Sequence, residues 1–190
     1  MNDSPKTFTC IVLDLETTWL SPELDTIIEI AAIKITIWKA DGTWKIIEQD
    51  ERSMLVNPGY NITEEISLIT HITNDMLTDK PKWEEVCERA KEFLGDYPIV
   101  GHNVLFDVAM LGTHDIDISK SLILDTFELS ELLSSEVPSL NLWFLAKHYG
   151  YTTDKGEHRA LGDTEVCAQL FIWYLNMLEE LGETERSILR

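Results

Sequence analysis

The most constraining feature of this chain is an apolar run broken by acids, Cys10-Ile-Val-Leu-Asp-Leu-Glu16. Residues 8–15 read as a strand, and the unbroken apolar stretch is that of a central strand covered on both faces. Side chains alternate along a strand, so Asp14 and Glu16 share one face. Carried into the interior, two adjacent like charges cost on the order of several kcal/mol unless something positive answers them. A divalent cation is the simplest answer. If the strand instead stops at Leu13, both acids stand in a solvated loop and need no partner. The run by itself leaves both readings open.

The rest of the chain says what surrounds that strand. Residues 27–38 and 43–56 read as two further strands, joined by an Asp41-Gly42 turn and closed by Asn57-Pro58-Gly59. The period then changes. Residues 64–70 form a short helix, and 83–94 a longer one with Val86, Ala90, Phe93 and Leu94 on one face. A short strand at Ile99 and Val100 runs into Gly101-His102-Asn103 and a helix over 104–111. Residues 122–124 are another short strand, and Asp125-Thr126 opens a helix reaching Leu133. Ser139 is the expected N-cap of a helix ending at Gly150. A polar loop, 151–157, precedes a final helix ending near Gly182. The expected fold is α/β: a mixed sheet, its first three strands antiparallel and the later ones parallel, flanked by helices. One domain is expected over 1–190, with its core at about 8–178 and a short polar tail from 182 to 190.

Two more acids repeat the problem posed by Asp14 and Glu16. Asp107 precedes Met110 and Leu111 by three and four residues and so shares their apolar side. A helix-start acid, or the partner of a basic group, fits that position equally well. Asp163 is more specific. Val166, Cys167, Leu170, Phe171, Tyr174, Leu175 and Leu178 form an amphipathic stripe, and counting back three and four residues puts Asp163 on it. His158 lies five residues before Asp163, roughly 140° around a continuous helix at ~100° per residue. It therefore belongs to the loop or first turn at the helix mouth, over the site. Three or four inward carboxylates, with one histidine beside them, offer hard oxygen ligands suited to Mg²⁺ or Mn²⁺ rather than zinc. The matching chemistry is two-metal phosphodiester hydrolysis.

Charge bears on the partner. With 34 Asp and Glu against 15 Lys and Arg, the net charge is −19. A broad basic nucleic-acid surface is excluded, but a pocket that reaches phosphate through metal ions is not. Weak binding to long duplexes and a preference for single strands or short oligonucleotides follow. Lys147, Lys155 and Arg159 are the basic residues nearest the site motifs, as a small phosphate contact or as solvated charge. Cys10, Cys87 and Cys167 are far apart, which argues against disulfides and cysteine-held zinc, and there is no H-E-x-x-H. No signal pattern opens the chain and no apolar run reaches ~18 residues, so a cytoplasmic protein with no membrane partner is expected.

Asp14-Leu-Glu-Thr-Thr18, Gly101-His-Asn-Val-Leu-Phe-Asp107 and His158-Arg-Ala-Leu-Gly-Asp163, in that order and spacing, resemble the three motifs of the DnaQ-like (DEDDh) 3′→5′ exonucleases. That family includes the epsilon subunit of DNA polymerase III and ribonuclease T. Ile27-Ile-Glu-Ile-Ala31 and Ile69-Thr-His-Ile-Thr-Asn-Asp-Met-Leu77 fit as well, and the resemblance spans about residues 8–178. It implies an RNase H-like fold and two divalent ions on Asp14, Glu16, Asp107 and Asp163. It implies His158 as general base, and nucleoside 5′-monophosphates released from DNA or RNA 3′ ends. Thr17 and Thr18 are the implied substrate contacts, with His102 and Asn103 as further ones unless they only satisfy local backbone groups. Trp19 stands where the family has glycine, either stacking on a terminal base or covering the core edge. The second motif is closer to the epsilon type than to oligoribonuclease on short RNA. A polymerase partner, proofreading and stand-alone trimming or repair all remain open, although no tethering tail is expected after the domain. A non-catalytic partner-binding module that kept the fold is the alternative of a different class.

Overall fold

The structure, a computed structural model, describes residues 6–188, with side chains as far as residue 182. The first five residues and the side chains of the expected tail lie outside the described part. Five strands form one mixed sheet in the order β3-β2-β1-β4-β5. β1 (Lys6–Thr17), β2 (Ile27–Ala40) and β3 (Thr43–Leu55) make the antiparallel meander. β4 (Ile99–Gly101) pairs parallel with the other side of β1, and β5 (Ile123–Asp125) with β4. The mixed sheet is thus the one expected from the sequence. The decisive difference of detail is at β1, which runs two residues past Leu15. Asp14 and Glu16 are in the strand, not in a solvated loop, and Glu16 pairs across to Glu29 of β2 just before a bulge.

Strand alternation decides what β1 meets on each side. Ile11, Leu13 and Leu15 pack toward α3 (Trp83–Leu94) and α4 (Leu105–Thr113), with Val86, Ala90, Leu94, Met110 and Leu111. Cys10 and Val12 pack toward α6 (Leu142–Tyr149) and α7 (Ala160–Ile188), with Leu145, Val166, Leu170 and Phe171. Each such large side chain contributes about 1.5–3 kcal/mol on burial. α7 lies across β1, β2 and β3, so its buried stripe and the even-numbered face of β1 are one interface. A smaller cluster of Ile28, Ile62, Ile66, Ile72 and Leu77 seats α1 (Glu64–Thr70) and the four-residue α2 (Asn74–Leu77), an element the sequence reading does not assign. β3 is the sheet edge, and its exposed run from Glu48 to Arg52 is almost wholly charged, which disfavours pairing with another strand. Among the described residues no helix is long and apolar enough to cross a membrane.

Two helix ends differ from expectation. α6 is capped by Asn141, whose side chain accepts from Trp143 N and Phe144 N, and not by Ser139. The reason is a contact distant in sequence. The Leu140 carbonyl bonds the His102 ring at 2.9 Å, so residue 140 stays outside the helix, and Ser139 only accepts from Asn141 N at 3.3 Å. α7 continues through Gly182 to Ile188. A glycine inside a helix costs about 1 kcal/mol, which the neighbouring helix-forming residues override. α5 (Thr126–Leu133) is capped by Asp125 as expected. Replacing the observed α6 cap tests the assignment: Asn141→Ala is expected to lower unfolding free energy by about 1 kcal/mol. Ser139→Ala is expected to cost less than about half of that, both read by urea denaturation.

Candidate active site

Asp14 and Glu16 continue the Cys10–Val12 face of β1 toward α7, where Asp163 stands in the first turn. One carboxylate oxygen from each lies within 4.8 Å of the others. Asp163 Oδ1 accepts two hydrogen bonds, from the Trp143 indole at 2.9 Å and from His158 N at 3.1 Å. Its second oxygen is left for the cluster. Asp107, 6% exposed, approaches from α4 and accepts from Leu15 N at 3.0 Å, between the two β1 acids. It lies outside the tight trio, but its charge is the largest neighbouring influence on Asp14.

The electrostatics follow from this crowding. Burial pushes Asp14 well above the usual carboxylate range, and Asp107, Asp163, Glu16 and Glu29 add to it. Glu16 rises to about 9, chiefly by burial and then by Asp163. Asp107 is raised to about 8 by burial, against its bonds to backbone N–H groups. Asp163 rises to about 7 by burial, held back by Trp143 and His158 N. Buried carboxylates with free oxygens facing one another are the donor set of a hard divalent cation. These residues therefore fit such an ion.

Arg159, the nearest cation, is already engaged. Its Nε and Nη2 bond Glu29 at 3.1 and 2.9 Å, so it is not the loose phosphate contact that its sequence position allows. Lys155 stands 3.8 Å from Glu51, and Lys147 lines a cavity of about 410 Å³ beside Trp143 and Glu157. His158 is in the loop before α7 with φ 53°, a left-handed backbone. That loop is pressed onto the helix: a Cβ on Gly162 would lie 2.0 Å from the Gly156 carbonyl oxygen. The backbone of His158 is thereby pinned, while among the described residues its imidazole makes no hydrogen bond.

The residues expected to touch substrate separate into two groups. Trp19 is 45% exposed and, with Thr18 and Tyr60, lines a cavity of about 390 Å³ next to the end of β1. Thr18 Oγ1 donates to Asp25 and accepts from Thr26 N and Tyr60 Oη, and the Thr17 hydroxyl donates to Trp19 O at 2.6 Å. The two threonines therefore shape the turn that presents Trp19. Asn103 is exposed with φ 60°, its backbone N held by Asp125. His102 is a correction. Its two ring nitrogens bond Thr126 Oγ1 and Leu140 O, both at 2.9 Å, and burial lowers its pKa. It ties α5 to the segment before α6 and has no ring nitrogen left for substrate.

Sequence reasoning passes over two residues here. Trp143 has no local signal, since its partner is twenty positions away. Glu29, 1% exposed, does carry one. It is an acid inside Ile27-Ile-Glu-Ile-Ala31, the same anomaly that marks Asp14.

An exonuclease family model, that of ribonuclease T, matches residues 11–171. The chain is 42% identical over 181 residues to the PolC-type DNA polymerase III of Staphylococcus saprophyticus, and 40% identical to that of Staphylococcus aureus. Both matches cover 93% of this chain and only 12% of the polymerase, so the chain spans about an eighth of the length of these relatives. Among solved structures, Exonuclease X in complex with 5′ overhanging duplex DNA matches with a TM-score of 0.68 at 27% identity. That match covers 88% of this chain and 92% of the other. E. coli Exonuclease I with a dT13 oligonucleotide shares the fold, with a TM-score of 0.71 at 20% identity over 94% of this chain and 43% of the other.

The raised carboxylates set an expected pH dependence. Without metal, the folded protein holds protons on Glu16, Asp107 and Asp163 at pH values where the unfolded chain has released them. Stability is then expected to fall as pH rises through the window from about 4 to about 9. In EDTA the Tm should drop between about pH 5 and about pH 9, and excess Mg²⁺ or Mn²⁺ should remove most of the drop. A metal-free Tm that is flat or rising across this range would contradict the assignment.

Proposed function

The chain belongs to the DnaQ-like exonuclease family, and from that premise we propose that it removes nucleotides from DNA 3′ ends by metal-dependent hydrolysis. The single observation carrying this reading is the meeting of half-buried Asp14, Glu16 and Asp163 in a cation-poor space, with buried Asp107 alongside. A fold has no physical need for four such acids. They would hold two divalent ions, Mg²⁺ or Mn²⁺, which neutralise the cluster and stabilise the negative charge that develops on phosphate. The resemblance to DNA polymerases favours DNA over RNA and supports a proofreading role beside a polymerase. A single-stranded end suits the protein's charge of −19, because no broad basic surface is there to grip duplex.

The chain's own groups divide the work. His158, with its imidazole unbonded at the mouth of α7, takes a proton from the attacking water. The water oxygen bonds phosphorus, the bond to the 3′ oxygen of the preceding nucleotide breaks, and that oxygen takes up a proton from solvent. A nucleoside 5′-monophosphate and a shortened strand with a free 3′-hydroxyl result. Trp143 keeps Asp163 turned into the cluster through its indole N–H. Trp19, half-exposed over its cavity, stacks on the terminal base.

Wild-type protein with Mg²⁺ or Mn²⁺ is expected to shorten 5′-labelled single-stranded DNA one nucleotide at a time, with EDTA stopping it. Asp14→Ala and Asp163→Ala should each lower kcat by at least about 10³-fold while remaining folded. Inert wild-type protein on every single-stranded 3′ end, DNA or RNA, would instead support a binding module. For the aromatic contact, Trp19→Ala should raise KM about fivefold or more with kcat little changed, from the ~1–3 kcal/mol that base stacking is worth. An unchanged KM would remove stacking from the reading.

A further inference from the structure

We propose that Glu29 and Arg159 are a positioning pair that fixes the orientation of His158, an inference that rests on His158 acting as the base. Glu29 is buried in β2, opposite Glu16, and is 130 positions away from the loop it holds. Its two oxygens accept four hydrogen bonds. Oε2 takes Arg159 Nε at 3.1 Å and Ala160 N at 3.2 Å, while Oε1 takes Arg159 Nη2 at 2.9 Å and Ser53 Oγ at 3.0 Å. One carboxylate thus grips the side chain of the residue after His158 and caps the first N–H of α7.

The grip continues at the His158 backbone. His158 N donates to Asp163 Oδ1, and Asp163 N donates to Arg159 O at 3.0 Å, closing a ring of contacts around residues 158–163. Gly156 is pressed against Gly162 before the loop reaches His158. The left-handed backbone of His158 is a conformation a non-glycine residue keeps only when its surroundings impose it. A buried ion pair is a poor source of stability, since a well-packed apolar pair commonly does as well. What a bidentate guanidinium–carboxylate fork supplies is fixed geometry, which a lysine cannot reproduce. The demand for fixed geometry here comes from the His158 imidazole, which the loop carries to the mouth of α7 beside the acids.

The test is a mutant cycle with metal binding as a second readout. The charge-neutral pair E29Q/R159M is expected to lower kcat about 10–100-fold, as misplacement of a reacting group by about 1 Å does, with KM within about threefold. Mn²⁺ affinity by calorimetry should also stay within about threefold, because the pair is not a ligand. R159K, keeping the charge without the fork, should fall between the two and carries the comparison if the double variant does not fold. In a His158→Ala background, neither change should lower kcat further. An unchanged kcat, a fall of equal size without His158, or a parallel loss of Mn²⁺ affinity would each overturn the positioning role. His158→Ala retaining wild-type kcat is a separate result that removes the base and the pair's role with it.

Discussion

Like-charge crowding on one face of β1 is the constraint around which the molecule is arranged. Cys10 and Val12 need an apolar cover, and α7 provides it. Two residues further, the same face presents Asp14 and Glu16, and the same helix presents Asp163. Packing that stabilises the core therefore forces the acids together. Burial and mutual repulsion then raise the pKa values of both β1 acids, a strain that a divalent cation would relieve. Core and site are one interface read at two ends, so neither can be loosened without the other.

Around that interface the polar contacts are of a restraining kind. Trp143 and His158 N occupy one oxygen of Asp163, Leu15 N occupies one oxygen of Asp107, and Asp125 holds the turn from which α4 starts. They hold the groups of the site in place, and among the described residues no buried side-chain nitrogen or oxygen lacks a hydrogen-bond partner.

How much of this is legible in the sequence depends on whether the determining partner is near in the chain. Alternation places Asp14 and Glu16 on a common face, and helical spacing puts Asp163 on the buried stripe, because both rules act within a few residues. The mixed sheet follows from three strands with short turns and then a change of period. Partners far away are not legible in this way. Nothing near Trp143 points to Asp163, and nothing near His102 points to Thr126 and Leu140. The latter bonds move the α6 cap from Ser139 to Asn141 and close His102 to substrate. Gly182 shows the converse, a local stop signal overridden by continuing helix on both sides. Glu29 is the instructive omission. Its signal is local and of the same kind as that of Asp14, but its role depends on Arg159, at the far end of the chain.

The six residues from His158 to Asp163 have a consequence for mutational tolerance. His158 has to hold a left-handed backbone, Arg159 has to reach across to β2, and Ala160 sits fully buried with its N–H on Glu29. Leu161 packs against the second core cluster, Gly162 has a carbonyl oxygen where its side chain would be, and Asp163 faces the acids. The demands differ in kind but share partners: Glu29 bonds both the Arg159 side chain and Ala160 N, and Asp163 bonds His158 N. Libraries varied across this hexapeptide should show intolerance at every position, with coupling between the positions that share Glu29 or Asp163 as a partner. That pattern separates a motif held by geometry from one held by a shared chemical property.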